Sequence, residues 1–187
     1  LSNFTGSGTT YIATFTPTAN STTNGVVSVA TGVFTNAIGN ANADGSEANN
    51  SVIFSVDTVV PTISLSTSKT SLITGDSATL TFTLSEASTT FTASDITVSG
   101  GTLSNFSGSS TIYTALFTPT VSSTTTGVVS VASGVFSDDA GNLNSDGTDA
   151  NNLASFLACC FFFSSIIFTL EGLASTANFE GIKKLRP

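Results

Sequence analysis

The chain has 187 residues, 40% of them hydrophobic, no His, Met or Trp, and a net charge of −8 from 12 acids against 4 bases. So few cations cannot release the counterions of a phosphate backbone, which argues against nucleic acid as a partner. Three of the four bases (Lys183, Lys184 and Arg186) stand in the last five residues, so the first 152 hold ten acids against Lys69, a self-repelling surface that attracts divalent cations.

Residues 1–50 return at 103–152 without a gap, Leu1-Ser2-Asn3-Phe4 as Leu103-Ser104-Asn105-Phe106, with 33 of the 50 positions identical. A period near 100 suits an autonomous sandwich, whereas solenoid units recur every 20–50 residues or so. Residues 1–56 are therefore expected to be the C-terminal half of one repeat, with a half-core left open. The complete repeat is expected to run from 57 to 152, with a last strand after Asn152, for which 153–158 is the candidate.

Within that repeat the strand signals have period two. The first strand is expected at about 61–67 and the second at 77–85, where Ala78, Leu80, Phe82 and Leu84 fall on one face and hydroxyl residues on the other. Further strands are expected at 95–99, 102–106, 111–118 and 126–136, with Gly100-Gly101 and Pro119 marking turns. Along 111–118, Tyr113, Ala115 and Phe117 share one phase and Ile112 the other. Seven short strands in about 100 residues predict an all-β fold, a tandem immunoglobulin-like β-sandwich of seven strands with Greek-key connections.

If the strands run alternately down and up, the linker before the first strand, the loop 85–94, a short loop 107–110 and the long loop 137–152 share one end. Acids collect there: Asp57, Glu86, Asp138, Asp139, Asp146 and Asp149. Carboxylates crowded at a joint repel unless something cationic sits among them. Within the long loop, Asn142-Leu143-Asn144-Ser145-Asp146-Gly147 places oxygen side chains at alternate positions before a Gly, and the first copy keeps the pattern as Asn40-Ala41-Asn42-Ala43-Asp44-Gly45. This reads like the front half of a calcium loop. It lacks the bidentate Glu of an EF-hand, since Leu153 and Ser51 take the twelfth position, and Asn, Asp and Gly are also what tight turns use.

Four strings carry a resemblance: Val56-Asp57-Thr58-Val59-Val60-Pro61-Thr62, Leu80 through Ala87, Val98 through Phe106, and Gly134-Val135-Phe136-Ser137-Asp138-Asp139-Ala140-Gly141-Asn142. Together they resemble the bacterial Ig-like repeats of large secreted surface adhesins, over residues 1–152. The resemblance implies a β-sandwich module in an extracellular stalk, with neighbouring repeats of the same chain as partners, any host ligand held through other domains, and calcium stiffening the joints. Carried over residue by residue, it points to Asp57, Glu86, Asp138 and Asp139 as metal ligands, beside Asn142, Asn144 and Asp146 of the long loop. The first copy departs from it, with Asn36 and Ala37 where the second has Asp138 and Asp139.

An enzymatic reading fails on inventory: there is no His, and the only thiols are the adjacent Cys159 and Cys160. A pair of carboxylates such as Asp138 and Asp146 would still want a shaped cleft. The alternative to a spacer is a module that itself binds a glycan or protein, but aromatic platforms are scarce and Tyr11 and Tyr113 sit at strand positions that suit packing.

After Asn152 the copies diverge, Ser51-Val52-Ile53-Phe54 against Leu153-Ala154-Ser155-Phe156, and residues 153–170 carry no charge before the basic end. This hydrophobic tail has three readings: a membrane span with the repeats outside, an ending unrelated to the repeat, or a substitute last strand over 153–158 followed by a poorly buried remainder.

Overall fold

The computed structural model describes residues 1–45 and 47–158. Eleven strands in the described residues account for all the regular structure apart from three short 3-10 turns. In the first copy, β1 (Ser2–Ser7) and β2 (Thr10–Thr14) form an antiparallel hairpin, and β3 (Gly25–Ser28) pairs with β4 (Ser51–Phe54). Every residue of β1, β2 and β4 is exposed, and among the described residues each of these pairs forms a two-stranded sheet of its own.

The second copy supplies what the first lacks. Strands β5 (Ile63–Thr67), β6 (Ser71–Leu72), β7 (Ala78–Ser88), β8 (Ile96–Ser99), β9 (Gly101–Pro119), β10 (Gly127–Val131) and β11 (Leu153–Ala158) form two sheets, β5-β7-β9 and β6-β11-β10-β8. The chain alternates between sheets from β5 to β10, so each crossing packs one face on the other, as in an immunoglobulin-like sandwich. Ala78, Leu80, Phe82 and Leu84 of β7 are all buried, facing Val129 and Val131 of β10 and Phe156 of β11 in one continuous core. At about 1.5–3 kcal/mol for each large side chain removed from water, this core is the main source of stability.

Phe117 shows how tightly the sheets meet. Its ring stacks on Phe156 at 4.3 Å, and its edges lie where a Cβ on Gly101 or on Gly127 would stand. Gly101 at the start of β9 itself and Gly127 at the start of β10 must both be bare for the ring to enter.

Several elements differ from the sequence reading, β7 among them, which runs on to Ser88 instead of ending at 85. The strands expected at 102–106 and 111–118 are one extended run, β9, which doubles back on itself: Ser104 Oγ donates to Leu116 O at 3.5 Å, and Gly108, at φ +150°, lies against Ile112 and Tyr113. The strand expected at 126–136 ends at Val131, since a turn through Ser133 and Gly134, at φ +75°, breaks it, although Phe136 beyond the turn is still buried. The two-residue β6 was too short to give a periodic signal; it pairs in parallel with β11, Ser71 opposite Leu157.

The divergence at Asn152 does not remove the last strand. Gly127 lies opposite Phe156 and Ser130 opposite Leu153, the same register that sets Gly25 opposite Phe54 and Ser28 opposite Ser51. The alternation was kept while most identities changed: Ala154 and Phe156 point inward, Leu153, Ser155 and Leu157 outward. The first six residues of the apolar run are thus sheet, and no helix among the described residues is long and apolar enough to cross a membrane. The rest of the span considered over 153–170, with Cys159, Cys160 and the basic end, lies outside the described residues.

Candidate metal centre at the linker end

The linker, the end of β7 and the long loop converge at one end of the complete unit. Glu86 belongs to β7 itself rather than to the loop after it, in a stretch where the register against β9 shifts between Thr83 and Ser88. Such a bulge re-aims side chains at a strand end. Beyond it, Ser88 Oγ donates to Ser137 O at 2.6 Å and Ser137 N donates to Thr90 Oγ1 at 2.8 Å, which clasps the long loop to β7. Tyr113, stacked on Phe106, donates its hydroxyl to Ser88 O at 2.6 Å and fixes the clasp from the core side. Nothing in the spacing of Ser88, Thr90 and Ser137 announces this clasp in a chain so rich in hydroxyls.

Asp138 is buried, and Asn142 holds both of its oxygens, through the backbone N–H to Oδ1 and the side-chain amide to Oδ2, each at 2.8 Å. The same amide reaches Asp57 O at 3.3 Å, tying the linker to the loop. Burial pushes the Asp138 carboxyl up, but hydrogen bonds from Asn142, and from the backbone at Gly141 and Ala140, hold it below its ordinary value. Glu86 goes the other way: burial, then the negative charges of Asp57 and Asp138, then direct contact with the Asp138 carboxyl all raise it. Its Oε2 is buried with no hydrogen-bond partner.

Asp57, Glu86, Asp138 and Asn142 are therefore gathered, and the remaining candidates are not. Asp139 is exposed, and its charge acts on Tyr113, whose phenol is pushed up first by burial and then by Asp139. Asn144 is consumed by backbone: Oδ1 accepts from Val135 N at 2.9 Å and Phe136 N at 3.2 Å, and Nδ2 donates to Ala132 O at 2.8 Å. Asp146 Oδ2 accepts from Ile63 N at 2.7 Å, securing the start of β5. Asn144 and Asp146 are thus aimed at backbone groups of other segments, at Val135, Phe136 and Ala132 for the first and at Ile63 for the second. Asp146 anchors β5 through Oδ2 while its Oδ1 is buried with no partner, and of Asn142, Asn144 and Asp146 only Asn142 contacts Asp138 and the linker.

The first copy separates turn from charge. Asn36, the counterpart of Asp138, makes the same turn by accepting from Ile38 N at 3.1 Å and Asn40 N at 3.0 Å. A neutral amide suffices for the turn, so the charge of Asp138, buried near two other acids, is not explained by it. Lys69 does not neutralise these acids: it pairs with Asp76 at 3.4 Å, past the far end of β5.

A family model described as bacterial Ig-like domain matches residues 1–53 and 57–155. The chain belongs to the bacterial Ig-like domain family. These domains occur in bacterial surface and extracellular proteins and are typically structural, non-enzymatic modules. No curated protein and no solved structure matches the chain.

The donor set fits a hard cation in kind: carboxylate oxygens, a linker carbonyl and a buried oxygen with no partner. As they lie, no three Asp, Glu, His or Cys side chains among the described residues stand close enough to hold a metal ion. Asp57 is exposed and Glu86 only partly buried, so these two are the side chains with room to close in.

Proposed function

We propose that this bacterial Ig-like chain is a non-enzymatic spacer of a cell-surface or secreted adhesin, stiffened by calcium between linker and domain. The observation that carries the reading is Glu86, whose carboxyl is raised beside Asp57 and Asp138 and whose Oε2 has no partner. A divalent cation there would replace repulsion with shared coordination, and its binding energy would become stability of the joint.

The linker is built to transmit such a constraint. Thr58 N donates to Ser21 O at 3.0 Å and Thr58 Oγ1 donates to Thr18 O at 2.7 Å, on the side of the preceding half-repeat. Asp57 O accepts from Asn142 on the other side. Two adjacent residues are thus clasped by successive units, and ordering Asp57 would limit their relative bending. Small-angle X-ray scattering of the chain in calcium and in chelator tests this: calcium should narrow the distance distribution and lengthen the maximum dimension. Identical curves at saturating calcium would leave a passive spacer.

A further inference from the structure

In the complete unit, the fold-back at 107–110 and the end of β7 enclose a cavity of about 420 Å³, inside the range of about 300–1,000 Å³ usual for small-molecule sites. Phe91, Phe106 and Tyr113 make its apolar wall: Phe106 stacks on Tyr113 at 5.6 Å, and Phe91 stands edge-on to the two at 5.7 and 5.1 Å. Phe91 and Tyr113 are buried, so half-buried Phe106 is the ring with surface left to offer. The rim is hydroxyl. Thr89, Ser107, Ser109 and Ser110 line it, and among the described residues none of their hydroxyls has a hydrogen-bond partner, whereas the neighbouring Ser88 and Thr90 spend theirs on the clasp to Ser137. Ser110 holds its side chain there from a left-handed backbone, φ +59°, where the first copy has Gly8 at φ +65°. Glycine takes that conformation freely and serine does not, so the fold-back by itself favours Gly and the hydroxyl is kept against its backbone preference.

We propose that this cavity is a binding site for a neutral saccharide, a function beyond that of a spacer. A sugar ring carries C–H groups on its faces and hydroxyls round its edge. The first suit the aromatic wall, and the second pair with rim hydroxyls that donate and accept alike. No charged side chain lines the cavity, so a phosphate or carboxylate ligand would find no cation there and would meet a chain of net charge −8. A wholly apolar ligand would take the four hydroxyls from water without replacing their hydrogen bonds, which costs free energy. A neutral polyol with apolar faces is the chemistry that satisfies both wall and rim.

The test is two-dimensional NMR of the isotope-labelled chain titrated with glucose, galactose, N-acetylglucosamine and maltose. At least one of these sugars should shift the amides of 88–91 and 107–113 saturably and leave those of β5 in place. Phe106→Ala should weaken that binding by on the order of tenfold, the loss of one aromatic contact. Because Phe106 also packs against the core, Ser110→Gly is the second variant. It should weaken binding while raising the Tm of the complete unit, since Gly relieves the left-handed backbone. No saturable shift with any of the four sugars overturns the proposal, and so does binding that both variants leave unchanged. A site at the same residues that takes tetramethylammonium and no sugar also overturns it, by making the wall a cation platform.

Discussion

Replacing Asn144 with Ala asks directly whether the long loop is built for a metal or for its own backbone. The side chain is almost fully buried and makes three hydrogen bonds, to Val135 N, Phe136 N and Ala132 O. A net hydrogen bond contributes about 0.5–1.5 kcal/mol, and an orphaned buried donor costs about 1–3 kcal/mol. Phe136 is buried, Val135 half-buried and Ala132 exposed, so water can repair only part of the loss. The expected cost is about 3 kcal/mol, a fall in Tm of the complete unit of roughly 12–24 °C at the usual scaling for domains of this size. Asn42 makes the corresponding bonds to Val33 N, Phe34 N and Ala30 O, all on exposed residues. Water can replace them, so Asn42→Ala should cost less than about 1 kcal/mol. Urea unfolding followed by far-ultraviolet circular dichroism on both variants reads the difference. Equal costs, or less than about 1 kcal/mol for Asn144→Ala, would refute the backbone-anchoring account; loss of a calcium-dependent stabilisation in a folded Asn144→Ala chain would make Asn144 a ligand after all.

Three other outcomes follow from the same contacts. Phe156→Ala removes the partner of the Phe117 stack inside a closed core and should cost about 3–5 kcal/mol in denaturant unfolding, whereas Phe54→Ala, on the open half, should cost far less. Asp138→Ala combined with Asp139→Ala should abolish calcium-dependent stabilisation while leaving the calcium-free fold intact, as melting with and without calcium would show; retention of the full calcium shift would remove Asp138 from the site. Without calcium, Glu86 and Asp138 pull stability in opposite directions with pH. Because the folded state raises Glu86, it binds that proton more tightly than the unfolded chain does, so Glu86 weakens the fold as pH rises from its ordinary value through the raised one. Asp138, lowered on folding, contributes stability that is present above its ordinary value and lost as pH falls through the lowered one. Glu86→Gln should therefore stabilise the calcium-free chain at pH 7 and flatten the loss of stability just above the ordinary carboxylate range; an unchanged pH profile by thermal unfolding would contradict this.

The sandwich was legible because its strands are strictly alternating: Ala78, Leu80, Phe82 and Leu84 reach the core as their spacing requires. The repeat was legible too, and the pairing of β3 with β4 keeps the register of β10 with β11. β6 escaped because two residues have no period; the reversal near 107–110 was legible as a short loop, and what was not is that β9 runs through it unbroken, with Ser110 at φ 59°. At the site, the convergence of Asp57, Glu86 and Asp138 followed from strand direction alone. The partners of Asn144 and Asp146 did not, since the same oxygen atoms can ligate a metal or accept backbone N–H, and the spacing does not show that Val135, Phe136 and Ile63 donate to them. The last strand was obscured by identity: what persisted from β4 to β11 was the alternation and one Phe, while the surrounding letters changed.

The most direct test of the calcium-stiffened joint is thermal unfolding of the chain in millimolar calcium and in chelator. At calcium 100-fold above its Kd, a single site should add about 2.7 kcal/mol to the complete unit, an upward shift in Tm of roughly 10–20 °C that Asp138→Ala removes. A folded chain with the same Tm in both conditions would contradict the account and leave the acids at the linker without a metal to hold.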